Sequence, residues 1–179
     1  LPISAVDALV AGGIPAHRII ASVSAAALPD VLALTQHAQR LGTHGCLMLP
    51  PFYFKGISDE GILDCYRYVL DRVQDQPLRM YLYHLPQVSA VALSHDVIAA
   101  LMAQYPQNIA GIKDSQGVTA HSVGLNDRFT GTLPIYVGHE LDLRTMGRLG
   151  SKGAISGLAN FWPEQVAQLV GQPDAAGTA

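Results

Sequence analysis

Charge is scarce in this sequence. Lysine and arginine total 11 and aspartate and glutamate 14 in 179 residues, a net charge of −3. Basic side chains cluster nowhere, so the electrostatic footprint of a nucleic-acid or anionic-membrane partner is missing. Long hydrophobic runs are missing too. Stretches such as residues 46–51 are far too short to cross a bilayer, and the N-terminus has no basic segment leading into an apolar one. A cytoplasmic location is expected. Only two cysteines occur, Cys46 in an apolar run and Cys65 in a helical pattern, and both read as small buried hydrophobes rather than a disulfide. The seven histidines (His17, His37, His44, His84, His95, His121 and His139) have no HExxH or paired spacing, so a metal is not expected.

What the chain does have is apolar material, 49% of its residues, enough for one sizeable core. The apolar residues come in alternating short runs and helical stripes. Residues 1–13 read as a helix with Val6, Leu9 and Val10 on one side, ended by Gly12 and Gly13. Strands are expected at 18–24, 45–49, 79–85, 109–113, 134–137 and 153–156. Between them, Pro29 opens a helix stopped by Gly42, Ser58 caps one bearing Ile62, Tyr66, Val69 and Val73, and Ser94 caps one bearing Val97, Leu101 and Met102. Residues 118–132 read as an irregular helix, 141–149 as helical, and Pro163 begins a helix through Val170. Residues 1–170 are thus expected to form one domain and 171–179 a frayed tail.

Six strands alternating with helices are the signature of repeated βαβ units, an α/β class. An open doubly wound sheet and a (β/α)8 barrel both satisfy it. The GxGxxG fingerprint and the Walker loop, the commonest reasons for an open nucleotide-binding sheet, are absent. Barrels place their chemistry at strand C-termini, which here collects Tyr53, Tyr83, Lys113, Ser115, Glu140 and Ser156.

The run Asn108-Ile-Ala-Gly-Ile-Lys113-Asp-Ser-Gln-Gly117 carries the sharpest signal. Ile109 to Ile112 read as a strand buried on both faces, and Lys113 stands where it leaves the core. An amine held there is partly desolvated, which disfavours its charged form, and only a neutral amine attacks a carbonyl. A strand-end lysine paired to Asp114 or capped by solvent fits the same position. Tyr83 falls at the mouth of the preceding strand, sharing a face with Tyr81 by alternation. There a phenol can shuttle protons for the amine, or simply fill a core with its hydroxyl satisfied.

Tyr83-x-x-Pro86 on one strand, Gly111-Ile-Lys-Asp-Ser115 on the next and Pro50-Pro-Phe-Tyr53 before both resemble the dihydrodipicolinate synthase/N-acetylneuraminate lyase family from about Arg18 to Val170. The resemblance implies a Schiff-base-forming (β/α)8 barrel in which Lys113 makes an imine with the keto carbon of pyruvate or a 2-keto acid. By the same resemblance Tyr83 moves protons, Tyr53 is a loop tyrosine that reaches a neighbouring subunit, and the enzyme is a homotetramer, a dimer of dimers. The expected partners are a small keto acid and an aldehyde, and no cofactor is required because a protonated imine is itself an electron sink. Ser115, Gly138, Glu140 and Ser156 are the candidate substrate contacts, with Gly153 to Gly157 permitting close approach of a ligand to backbone.

Two departures stand out. The family's Gly-Thr-Thr-Gly-Glu or Gly-Ser-Thr-Gly-Glu motif has no counterpart, and neither have its first two strands. Barrels of this class need roughly 250 residues, so the chain is expected to be part of a longer protein. The synthase branch places an arginine five residues after the strand tyrosine, where this sequence has Val88; the run from Tyr83 to Ser89 is closer to the sugar-acid lyase branch, which uses a carboxylate where Glu140 falls. Glu140 also suits a solvated first-turn position of a helix. Three readings follow: a lyase or aldolase acting through Lys113, a noncatalytic barrel, or a phosphate-binding barrel using the loops near Gly138 and Gly157.

Overall fold

The computed structural model describes residues 2–73 and 77–175. Leu1 and the end of the expected frayed tail, 176–179, lie outside the described residues. Gln172 to Ala175 make a turn in which the Ala175 N–H donates to the Gln172 carbonyl at 3.1 Å. Contacts divide the chain into two compact units, Leu1–Leu82 with Val88–Ala110, and Tyr83–Gln87 with Gly111–Ala179.

The first unit opens with α1 (Pro2–Ala11) and continues through β1 (Ile20–Ser22), α2 (Leu28–Leu41), β2 (Gly45–Met48) and α3 (Asp59–Leu70) into β3 (Met80–His84). It also holds α5 (His95–Gln104), reached through the short α4 (Pro86–Ser89). Its strands are parallel, Ile20 against Gly45 and Cys46 against Met80. Local chemistry sets the helix ends. Gly42 closes α2 at φ 69°, a left-handed conformation that costs glycine little, and Ser58 and Ser94 accept from the Gly61 and Val97 amides. Met48, Ile62, Tyr66, Leu70, Met80, Leu82, Ile98 and Leu101 are buried. The Tyr66 hydroxyl donates to the Met48 carbonyl at 3.0 Å, so its burial leaves no polar atom stranded. Both cysteines are free, and burial pushes the Cys46 thiol up to about 12.

The second unit takes the end of β3 and most of β4 (Ile109–Asp114), then α6 (Thr119–Phe129), β5 (Ile135–Val137), α7 (Leu143–Arg148), β6 (Gly153–Ala154) and α8 (Pro163–Gly171). Ile112 pairs Ile135 and Tyr136 pairs Gly153, again in parallel. Val137, Leu143, Met146, Val166 and Val170 form its core.

Strand order in the sheet follows the sequence from β1 to β6. A doubly wound sheet reverses direction at a switch point, so this order selects the (β/α)8 pattern, with six of its eight strands among the described residues. Several elements differ from the sequence expectation. Five strands are trimmed at their ends while β4 gains Asp114, and β6 keeps only two residues, although the Ile155 N–H still donates to Val137. Residues 86–89, expected to be loop, form α4, because Pro86 suits a first helical turn as well as it ends a strand. Residues 119–129 form a regular helix without a side-chain N-cap, carried instead by burial of Ser122, Leu125, Asn126 and Phe129. The 141–149 segment divides into a 3₁₀ turn, Glu140–Asp142, and α7. No described helix is long and apolar enough to cross a membrane.

Candidate active site

Six of the seven expected site residues fall in the second unit. Lys113 and Tyr83 meet there: Lys113 Nζ lies 4.2 Å from the centre of the Tyr83 ring. Both side chains are half-buried, so the amine is sheltered yet reachable, with an aromatic face that attracts a cation. Alternation places Lys113 and Tyr136, its register partner on β5, on the same side of the sheet. Tyr136 is a neighbour that the sequence reading did not single out, since register across strands is not written in either run. Tyr81, by contrast, works at the other end of β3: its hydroxyl contacts His44 Nε2 at 3.0 Å and Arg79 Nη2 at 3.1 Å, both before their strands begin.

Beyond Lys113 the chain is held by its own polar groups. The Ser115 N–H donates to the His84 carbonyl at 2.9 Å, and Gln87 Nε2 donates to the Ser115 carbonyl. Asp114 accepts from the Gln116 amide and from Ser122 Oγ. Ser115 Oγ is itself buried without a hydrogen-bond partner. A buried hydroxyl left unmatched carries a desolvation cost, and in a site it is a donor kept for a ligand oxygen. It faces Gly138, whose N–H donates to the Asp114 carbonyl at 2.7 Å.

Glu140 opens the 3₁₀ turn after β5. Burial works to raise its carboxyl. The Glu140 and Leu158 amides, the Ser156 hydroxyl and His139 outweigh burial and hold it below the usual carboxylate range. The Leu158 N–H reaches Glu140 Oε1 at 3.4 Å. Ser156 Oγ is buried beside that carboxylate and helps to lower it. An ionised acceptor therefore stands near the Ser156 hydroxyl. The adjacent His139 is steadied by Asp142 at 3.2 Å, and Asp142 in turn accepts from Thr119 at 2.7 Å.

Tyr53 belongs to the first unit. It is 69% exposed and packs edge-on against Phe54 with ring centres 5.3 Å apart. Lys55 pins this aromatic loop by donating to the Phe52 and Ser89 carbonyls. Beside it is an apolar cavity of about 440 Å³ lined by residues including Leu28, Pro51 and Cys65.

The model of the dihydrodipicolinate synthetase family matches residues 3–178. The chain belongs to that family. Among curated relatives it is 36% identical over 155 residues to an uncharacterised DapA-like lyase of Chloroflexus aurantiacus, covering 84% of this chain and 51% of that protein. It is 31% identical over 160 residues to a 4-hydroxy-tetrahydrodipicolinate synthase of Thioalkalivibrio sulfidiphilus, covering 89% and 51%. The crystal structure of dihydrodipicolinate synthase from Agrobacterium tumefaciens superposes with a TM-score of 0.87 at 33% identity, covering 92% of this chain and 57% of that one. The chain thus spans about half the length of the curated relatives it matches. This likeness assigns the fold to the family's barrel, of which the described residues form six strands.

Proposed function

We propose that this family member is a class I lyase or aldolase that condenses or cleaves pyruvate with an aldehyde through Lys113. The observation that carries the reading is Lys113 Nζ lying 4.2 Å from the Tyr83 ring centre at the adjoining ends of β3 and β4. The neutral amine adds to the keto carbon, and the resulting carbinolamine loses water to give a protonated imine. That imine withdraws electrons, so a proton can leave the neighbouring carbon to form an enamine, which attacks the aldehyde carbonyl; cleavage runs the same steps in reverse. Tyr83 moves protons between these species. Ser115 donates to a substrate oxygen, Gly138 leaves space for its approach, and no metal or organic cofactor takes part. Tyr53 completes the set as an exposed loop tyrosine offered to a neighbouring subunit in a homotetramer, and the enzyme works in the cytoplasm.

The favoured substrate is a hydroxylated 2-keto acid. Glu140 is an ionised acceptor suited to substrate hydroxyls, and Val88, 70% exposed, offers a carboxylate no bidentate partner.

Incubating the intact protein with pyruvate and borohydride tests the chemistry. Lys113 should gain the mass of pyruvic acid less one oxygen atom, and Lys113→Arg should gain nothing while remaining folded, since arginine keeps the charge but makes no imine. An unmodified Lys113 would reject the lyase reading in favour of a noncatalytic barrel. A coupled assay then compares aldehydes. Preference for aspartate semialdehyde over sugar-derived aldehydes by tenfold, about 1.4 kcal/mol in the transition state, would overturn the substrate choice.

A further inference from the structure

The second unit contains a polar cluster that imine chemistry does not use. His84 ends β3 at 1% exposure and Asp114 ends β4 at 4%. His121 stands half-buried in the first turn of α6. One ligand-capable atom from each of the three lies within 4.8 Å of the other two. The surroundings hold them in place: His84 Nε2 shares a hydrogen bond with Gln116 Oε1 at 2.8 Å, while Asp114 Oδ1 accepts from the Gln116 N–H at 3.1 Å and Oδ2 from Ser122 Oγ at 2.5 Å.

Two features single this cluster out from an ordinary buried network. Asp114 is a buried carboxylate that no lysine or arginine among the described residues pairs with, and such a charge is costly without a cation. The groups beside it are two imidazoles, stacked with ring centres 4.5 Å apart and planes at 16°. Two imidazole nitrogens and a carboxylate oxygen form the donor set preferred by zinc and its neighbours. Calcium and magnesium prefer oxygen alone.

We propose that His84, Asp114 and His121 bind one divalent transition-metal ion of the zinc class. In the stack the imidazole lone pairs lie in nearly parallel planes, so one ring must turn about its Cβ–Cγ bond to share an ion with the other. His121 is the more exposed of the two and is the ring that would turn. The three side chains leave a fourth coordination position for water. Because Tyr83 precedes His84 and Lys113 precedes Asp114, a bound ion ties together the strand ends that present the tyrosine and the lysine. Its role is to brace or lock these ends, with no part in bond making. The site does not depend on the imine reaction and is tested independently of it.

Chelator-treated intact protein is titrated with Zn²⁺ by calorimetry and with Co²⁺ by visible absorption, whose band intensity reports four-coordinate geometry. One ion per chain is expected. Asp114→Asn and His121→Gln should each weaken binding at least about tenfold, the lower end of what losing even an outer partner of a metal ligand costs. Both variants are first checked by melting without metal; should one fail to fold, the other carries the test. His17→Gln, at an exposed histidine, should leave binding unchanged. The proposal is overturned by absence of saturable one-to-one binding, by binding that survives in the folded variants, or by binding lost in His17→Gln.

Discussion

A β-carbon on Gly138 would stand 1.8 Å from Ser115 Oγ and 2.9 Å from Lys113 Cε. The strand end of β5 therefore approaches the Lys113–Ser115 segment so closely that only a hydrogen fits. Gly138→Ala should destabilise the protein by about 1–3 kcal/mol, the usual cost of overpacking, and slow adduct formation with pyruvate by displacing the amine. Thermal melting with the adduct rate measures both; a variant that matches the parent in each would show that the segment yields freely.

Tyr83→Phe removes the phenolic proton and keeps the ring beneath Lys113. Turnover should fall by roughly 10² to 10⁴, the scale of a general acid–base group. Adduct trapping should slow as well. A loss under about tenfold in steady-state rate would make Tyr83 a packing residue.

Ser122→Ala takes away the hydroxyl that donates to the buried Asp114. Leaving a buried acceptor short of a donor costs about 1–3 kcal/mol, which chemical denaturation would register as a shift in midpoint with little change in slope.

Acid should expose Glu140. Its carboxyl lies below the ordinary 4.5 in the folded chain: burial raises it, but the amides of Glu140 and Leu158, Ser156 and His139 lower it further. The unfolded chain therefore takes up the proton first. The resulting stabilisation is complete above the unfolded value and disappears as pH falls through the folded one. Glu140→Gln should flatten the loss of stability below about pH 4.5 while leaving the neutral range unchanged. Superimposable acid melting curves for the two proteins would contradict this.

Features written into neighbouring residues were legible in the sequence. Ser58 and Ser94 cap helices because their hydroxyls reach an amide three residues on, and Gly42 stops α2 because glycine alone turns left-handed there cheaply. Lys113 beside Tyr83 was legible through the order of motifs, and the meeting of the two side chains in one unit accords with it. Features that depend on distant elements were not legible. α6 lacks a capping side chain and looks irregular until Leu125 and Phe129 are seen buried. Scattered histidines gave no metal spacing, because His84, Asp114 and His121 come from two strands and a helix. Nor does a sequence show that Gly138 touches Ser115 across a strand pair.

The chain passes between its two units after Leu82, after Gln87 and after Ala110. Tyr83 is therefore an inserted guest in the unit that supplies Lys113, separated from it by a long excursion through residues 88–110. Pairing the two side chains requires that excursion to close as a loop, and the entropy of closure grows with its length. Residues 88–110 include α5 and the Ser94 cap. Loosening that helix enlarges the ensemble that must be gathered before tyrosine and lysine meet. Amide exchange at Tyr83 and His84 should accordingly quicken in Ser94→Ala, coupling the cap of α5 to the lifetime of the assembled pair.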